Sequence, residues 1–122
     1  MSQPPIPTID VAEAERRLRE DPGGPILLDV RETSEFVEMR APGAVLVPTS
    51  VFMTRVAELP TDRPLMVVCH LGGRSAAVAG YLIRAGRTDV VNVAGGMDAW
   101  DRAGLPVRRG PVEPGEGDLP AG

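Results

Sequence analysis

Cysteine and histidine are nearly absent from the sequence, which contains one of each, the adjacent residues Cys69 and His70. A single cysteine excludes an internal disulfide bond. It also leaves too few ligands for a thiolate zinc site, because such sites draw on several cysteine and histidine side chains. We therefore expect neither a bound metal nor another cofactor.

Lysine is missing altogether, since all thirteen basic residues are arginine. The net charge is −4, and no basic cluster is longer than the pairs Arg16-Arg17 and Arg108-Arg109, which argues against a nucleic-acid or membrane surface. No apolar run approaches the roughly 18 residues that a membrane span needs. Residues 1–8 also have neither the basic region nor the apolar region of a secretory signal. The sequence thus predicts a soluble, cytoplasmic protein.

The pattern that is present is a regular alternation of strands and helices. Apolar runs predict strands at 26–30, 44–47, 65–68 and 90–93, and helices are predicted at 11–20, 51–58, 76–85 and around Trp100. This alternation predicts an α/β fold with a mainly parallel central sheet flanked by helices.

The 122 residues are enough for one domain, which we assign to residues 1–107. Residues 108–122 contain four glycines and three prolines with hardly any apolar side chains, so we expect a disordered, Pro/Gly-rich tail. Because such a tail has nothing to pack against the domain, it should be dispensable for stability and activity.

The rest of the chain is organised around residues 65–85. The apolar run Leu65–Val68 ends at Cys69, two glycines, an arginine and a serine follow, and an alanine-rich segment continues to Ala85. This order predicts a strand, a tight loop and a helix. Gly72 and Gly73 permit the positive φ angles that convergent backbone amides require, and Ser75 is the expected N-cap of the helix.

The sulfur of Cys69 should therefore lie in a cup that binds anions, at the positive end of a helix dipole. In such surroundings the pKa of a thiol falls from about 8.5 to between roughly 3.5 and 7.5, which makes the nucleophilic thiolate available at neutral pH. The alternative is a cysteine that merely fills space in the core. The role of a nucleophile is favoured, because a double glycine, an arginine and the start of a helix follow Cys69 in the sequence.

A second charged group follows the first predicted strand and includes Asp29 and Arg31, with Glu32 and Glu35 behind them. Asp29 or Arg31 could face the same crevice as Cys69, because open α/β sheets gather their sites at the carboxyl ends of their strands. The alternative, an ion-pair and capping network that holds the loop, is the interpretation we favour.

Four segments carry motifs, which are, in chain order, Asp29-Val30-Arg31-Glu32 with Glu35-Phe36, Pro42-Gly43-Ala44 with Pro48, the loop Cys69-His70-Leu71-Gly72-Gly73-Arg74-Ser75, and Gly95-Gly96-Met97-Asp98-Ala99-Trp100. Together and in this order they resemble the motifs of the rhodanese family of sulfurtransferases. The resemblance covers residues 8 to 106 and implies a single rhodanese-like domain. One departure lies outside the cysteine loop: Met39-Arg40-Ala41 stands where the family usually has Gly-His-Ile.

The resemblance implies a sulfurtransferase that moves a sulfane sulfur from thiosulfate or a similar donor to cyanide or a thiol acceptor. Cys69 would carry the sulfur as a persulfide, and the loop His70, Leu71, Gly72, Gly73, Arg74 and Ser75 would bind it, with Asp29 and Arg31 in support. Arg74 could attract an anionic donor or form an ion pair that secures the loop. For His70 we favour a role in shaping the loop over that of a general base. The expected partners are small molecules and possibly a protein that accepts sulfur.

Two other functions remain open from the sequence. Similar loops occur in cysteine phosphatases and arsenate reductases, but those phosphatases have C-x5-R, whereas four residues separate Cys69 from Arg74 here. The shorter loop should hold one sulfur atom more readily than a phosphate. A rhodanese-like module that binds a partner without catalysis is the third possibility, although such modules often lack the cysteine.

Overall fold

The structure is a computed structural model that describes residues 5–120, and within that range the chain forms five strands and five α-helices. The strands are β1 (Thr8–Ile9), β2 (Ile26–Asp29), β3 (Val45–Leu46), β4 (Leu65–Val68) and β5 (Val90–Val93). The helices are α1 (Val11–Glu20), α2 (Thr33–Glu38), α3 (Phe52–Arg55), α4 (Gly73–Arg84) and α5 (Gly96–Arg102). Residues 1–4 of the predicted domain and residues 121–122 of the predicted tail lie outside this range.

The strands form one sheet in the order β1-β5-β4-β2-β3, and every pairing between them is parallel. The predicted α/β fold with a parallel sheet is therefore confirmed. Strand β4 lies in the middle, where Val67 is in register with Leu28 of β2 and with Asn92 of β5. Since the carboxyl ends of all the strands lie at one edge, Cys69 emerges at the centre of that edge.

The core lies on both faces of the sheet, as the continuous apolar strands predict. Leu65 and Val67 of β4 belong to one cluster, and Met66 and Val68 belong to the other. Trp100 is buried in the second cluster, and its indole N–H donates a hydrogen bond to the carbonyl of Pro106 at 2.8 Å. Trp100 is therefore an anchor of the core.

Several boundaries differ from the predicted ones. The helix expected over 51–58 is instead α3 between two 3₁₀ turns, Thr49–Val51 and Val56–Glu58. The interruptions lie at Val51 and Arg55, where φ is −124° and −116° rather than the value of about −63° in an α-helix. The helix after Cys69 begins at Gly73 rather than Ala76, and the two-residue strand β1 is not among the predicted strands. No helix within residues 5–120 is both long and apolar enough to cross a membrane.

The predicted disordered tail is wrong for residues 108–119, which lie against the domain and which we call the C-terminal strap. Arg108 and Arg40 form an antiparallel bridge through two backbone hydrogen bonds of 2.9 and 2.8 Å. The Gly110 amide donates to the Val37 carbonyl at 2.8 Å, and the Gly117 carbonyl accepts from the amide of Leu46 on the edge strand β3 at 2.8 Å. The composition of the strap misled the prediction because backbone groups, rather than apolar side chains, make most of these contacts.

We expect that a chain truncated after Val107 will be less stable than the full chain. Truncation removes the hydrogen bonds to Arg40, Val37 and Leu46, and it also removes Leu119, which packs against the core. The melting temperature, measured by circular dichroism or calorimetry, should fall by about 5 °C or more. An unchanged melting temperature would support the tail that the sequence predicts.

Candidate active site

Cys69 follows β4 directly, and its side chain is almost completely buried, with 1% of the residue exposed. The sulfur Sγ accepts a hydrogen bond from the amide of Gly72 at 3.0 Å and lies 3.3 Å from the hydroxyl of Ser75. The Ser75 hydroxyl also lies 3.2 Å from the Gly72 carbonyl. Its one hydrogen can point to either acceptor, and a thiolate is the stronger of the two.

Gly72 makes this geometry possible. It is the N-cap of α4 and has a φ of 118°, a left-handed conformation that disfavours side chains with a Cβ. The turn brings its amide onto the sulfur and lets the helix begin at Gly73. The expected N-cap role of Ser75 is therefore wrong: Ser75 lies inside the first turn of α4, and its hydroxyl bonds Cys69 and Gly72. The positive end of the helix dipole still faces the loop.

The pKa of the Cys69 thiol lies below its ordinary value, the direction that the sequence predicts. Burial has the largest single effect on this pKa and raises it. Hydrogen bonds to the sulfur lower the pKa and together outweigh burial. They come from the hydroxyl of Ser75 and from the amides of Ser75, Gly72 and Leu71.

Helix α5 is hydrogen-bonded to the cysteine loop. The amides of Met97 and Asp98 in its first turn donate to the carbonyls of Cys69 and His70 at 2.8 and 3.0 Å. Gly96, with a φ of 60°, lies so close that a Cβ at this position would overlap both carbonyl oxygens. The sequence does not identify the Met97 and Asp98 amides as the groups that bind the loop.

Arg74 forms a bidentate ion pair with Glu35, with distances of 2.7 and 2.8 Å between the guanidinium and the carboxylate. Arg74 lies in the first turn of α4, whereas Glu35 belongs to α2. The pair lowers the pKa of Glu35 to about 2, with the Arg74 hydrogen bonds as the main cause, and raises the pKa of Arg74. Sequence reasoning noticed Glu35 as one of a charged group but did not identify it as the partner of Arg74.

Asp29 and Arg31 form a fully buried ion pair of 2.7 Å. The Arg31 guanidinium also donates to the carbonyls of Glu35 at 3.2 Å and Met39 at 2.6 Å. These contacts fix the carboxyl end of α2. The pair thus connects β2 to α2, and within residues 5–120 no hydrogen bond joins either side chain to the sulfur.

The remaining loop residues face outward. The side chains of His70 and Leu71 are exposed, Leu71 by 66%, and Gly73 is exposed at the start of α4. Beside His70 lies a cleft of about 270 Å³. It is lined by Arg31, Glu35, Glu38, Met39, His70, Asp101 and Arg109. Within residues 5–120 no three histidine, cysteine, aspartate or glutamate side chains are grouped so that they could hold a metal ion.

Residues 10–103 match the family model described as a rhodanese-like domain. The chain belongs to the rhodanese family. Its relatives include a sulfurtransferase of Allochromatium vinosum, which is 35% identical over 82 residues, 67% of this chain and 77% of the relative. A thiosulfate sulfurtransferase GlpE of Pseudomonas savastanoi pv. phaseolicola is 36% identical over 88 residues, 72% of this chain and 81% of the relative.

Solved structures agree with this assignment. A rhodanese-related protein of Thermoplasma volcanium has a TM-score of 0.72 and 29% identity, over 84% of this chain and 97% of its own. A thiosulfate sulfurtransferase of Pseudomonas aeruginosa has a TM-score of 0.76 and 28% identity, over 87% of this chain but only 21% of its own. The rhodanese resemblance of the sequence is therefore confirmed.

The first prediction from this rhodanese site concerns the acidity of Cys69. The rate of alkylation by iodoacetamide, measured against pH, should have its midpoint below the value of about 8.5 for an ordinary thiol. Because the thiolate is the reactive form, a lowered pKa brings the rate to its plateau at a lower pH. Ser75→Ala removes a donor to the sulfur and should move the midpoint upward.

The exposed Ser34 provides the control, since Ser34→Ala should leave the midpoint unchanged. A wild-type midpoint at 8.5 or above, or equal shifts in the two variants, would contradict this account of the rhodanese loop.

The second prediction concerns the brace between α5 and the loop. Gly96 and Gly104 both have positive φ, 60° and 72°, but a Cβ on Gly104 would meet no atom within 4 Å. Gly104→Ala should therefore lose only the backbone contribution of roughly 1 kcal/mol in free energy of unfolding. Gly96→Ala must also displace the Cys69 and His70 carbonyls, so its loss should exceed about 2 kcal/mol.

Denaturant unfolding of the two variants measures this difference, and alkylation shows whether Cys69 responds. Equal destabilisation by the two substitutions would mean that the contact of Gly96 with the loop has no energetic importance.

Proposed function

We propose that this rhodanese is a sulfurtransferase that moves a sulfane sulfur from thiosulfate, or a similar donor, to cyanide or a thiol acceptor. A persulfide on Cys69 is the intermediate. The observation that carries the proposal is the buried sulfur of Cys69, which the Gly72 amide and the Ser75 hydroxyl face at 3.0 and 3.3 Å. These donors lower the pKa of the thiol and so supply the thiolate nucleophile.

In the first step the Cys69 thiolate attacks the outer sulfur of thiosulfate. A bond forms between Sγ and that sulfur, the sulfur–sulfur bond of the donor breaks, and its electron pair leaves with sulfite. In the second step cyanide or a thiolate attacks the outer sulfur of the persulfide. Thiocyanate or an acceptor persulfide leaves, and the Cys69 thiolate returns. The balance needs no oxidant and no reductant.

The loop amides stabilise the negative charge on the outer sulfur of the persulfide. Two sets of contacts fix the loop from Cys69 to Ser75. The turn at Gly72 directs backbone amides at the sulfur, and amides of α5 donate hydrogen bonds to the Cys69 and His70 carbonyls. Donors fixed before the reaction need no reorganisation when the charge arrives. The loop from His70 to Ser75 is thus the sulfur-binding element of the proposal.

Arg74 and His70 have supporting roles in this reaction. Arg74 donates two hydrogen bonds to the Glu35 carboxylate, which favours a role in securing the loop over the attraction of an anionic donor. The His70 side chain is exposed, and the hydrogen bonds to Sγ come from Gly72 and Ser75. These contacts favour a role for His70 in shaping the loop over the role of a general base. Asp29 and Arg31 support the site indirectly, through α2.

The other two functions are less well supported. Four residues between Cys69 and Arg74 make a small loop, and Arg74 is occupied by Glu35 rather than free to bind a phosphate. A module without catalysis would not need a thiol with a lowered pKa. For partners we propose small sulfur donors and acceptors, with a protein thiol as a further acceptor, and no nucleic acid. The cytoplasm, where a lone cysteine stays reduced, is the proposed compartment.

The test of this function is the intact mass of the protein after incubation with thiosulfate. The wild type should gain one sulfur atom that cyanide then removes. Cys69→Ser should gain none, because a hydroxyl is a far weaker nucleophile at neutral pH. Turnover of an aryl phosphate should be negligible for both proteins. If the wild type gains no sulfur but hydrolyses the phosphate, the sulfurtransferase proposal is wrong and the phosphatase alternative takes its place.

A further inference from the structure

Arg40 is the most deeply buried charged side chain outside the Asp29–Arg31 pair, with 1% of the residue exposed. It belongs to the segment Met39-Arg40-Ala41, where the sequence departs from the usual rhodanese Gly-His-Ile. All three of these residues are buried. A buried guanidinium is costly unless it is paired and hydrogen-bonded, so its partners show what the segment does.

The partners of Arg40 come from two directions. The C-terminal strap supplies the Glu116 carboxylate, which binds Nε and Nη2 at 2.5 and 3.0 Å, and the carbonyls of Gly110 and Pro111 at 2.8 and 3.2 Å. Helix α2 supplies the Phe36 carbonyl at 3.2 Å. The pKa of Glu116 falls to about 2, with Arg40 as the main cause. Arg40 therefore fastens the strap to the last turn of α2.

Helix α2 depends on such ties because a helix of six residues is not stable alone. Four carbonyls in or directly after the helix accept hydrogen bonds from outside it. Arg31 binds those of Glu35 and Met39, Arg40 binds that of Phe36, and the Gly110 amide binds that of Val37. Two of these four carbonyls are held by Arg40 or the strap, so the strap contributes to the position of α2.

The same helix carries Glu35, which is adjacent to Phe36 in the chain and binds Arg74 in the first turn of α4. That turn supplies the Ser75 hydroxyl, and the Gly72 amide precedes it. A continuous series of contacts thus joins the Glu116 carboxylate to the loop around Cys69, through Arg40, α2, Glu35 and Arg74.

We propose that Arg40 and Glu116 are positioning residues for sulfur transfer, which set the place of Glu35 and thereby of Arg74 behind the cysteine loop. This inference rests on the proposed function. It gives the C-terminal strap a role in the rate of the reaction in addition to its role in stability.

A double-mutant cycle separates positioning from stability. The proteins are the full-length wild type, Glu116→Gln, Glu35→Gln and the double variant. Glu116→Gln keeps the shape of the side chain but removes the charge that binds Arg40. It should lower kcat/KM for thiosulfate and cyanide between about two-fold and thirty-fold, the range expected for residues that act at a distance. In the Glu35→Gln background, which already lacks the tie to Arg74, the same change should have almost no further effect.

The control is another glutamate that pairs with an arginine away from this series. Glu20 binds Arg16 on the exposed face of α1 at 2.6 Å, and Glu20→Gln should leave kcat/KM unchanged in both backgrounds. Melting temperatures are measured for all variants. At an assay temperature well below every melting temperature, a fall in kcat/KM reports a change in positioning and not partial unfolding.

Arg40→Lys is a second variant that keeps the charge and the fold. Lysine has one ammonium group and cannot bind Glu116 and the Phe36 carbonyl together as the guanidinium does. It should lower kcat/KM as Glu116→Gln does. Alkylation of Cys69 provides a readout that needs no sulfur donor, so the cycle can be completed even if the wild type transfers no sulfur. In that case the proposed function fails while the positioning role is still tested.

Two outcomes would overturn the inference. One is an unchanged kcat/KM and alkylation rate in Glu116→Gln and Arg40→Lys, with only the melting temperature reduced. The other is a loss of activity by the same factor with and without Glu35, which would mean that the strap acts by some other route. The inference is supported if Glu116→Gln lowers kcat/KM in the wild type but no longer lowers it once Glu35 is replaced by Gln.

Discussion

A sulfur anion buried at the end of a strand persists only where protein donors replace the water that it has lost. At Cys69 this requirement is met by a few amides and one hydroxyl, and burial works against them. The arrangement has little tolerance, because a hydrogen bond weakens steeply when its angle or distance changes. Gly72 turns one amide onto the sulfur, and α5 holds the Cys69 and His70 carbonyls in place. Much of the structure around this edge of the sheet thus holds the hydrogen-bond donors in position around the Cys69 sulfur.

The parts of this arrangement that the sequence predicts are those encoded within one segment. The strand before Cys69, the double glycine and the helix behind them lie within about twenty consecutive residues, and their order has one simple structural meaning. The parallel sheet follows in the same way from continuous apolar runs separated by helices. Ser75 was misassigned as the N-cap because a serine before a helix usually caps it, while Gly72 takes that position through its left-handed conformation.

The parts that could not be predicted depend on partners far apart in the chain. Glu35 and Arg74 are 39 residues apart, and Arg40 and Glu116 are 76 residues apart. Charged residues in a turn or in a polar terminal segment give no sign of which partner they meet once the chain folds. The strap also shows the limit of composition, because its glycines and prolines suggest disorder while its backbone groups and one carboxylate bind the domain.

Three arginines that bind α2, Arg31, Arg40 and Arg74, share a property that net charge does not describe. Each uses its planar fork to bind more than one atom at once, which a lysine ammonium cannot reproduce. Exchanging every arginine for lysine would leave the formal charge at −4 and yet loosen both ends of α2. A lysine version of this chain would need different contacts to hold the helix, so equal charge does not make the two side chains interchangeable at these positions.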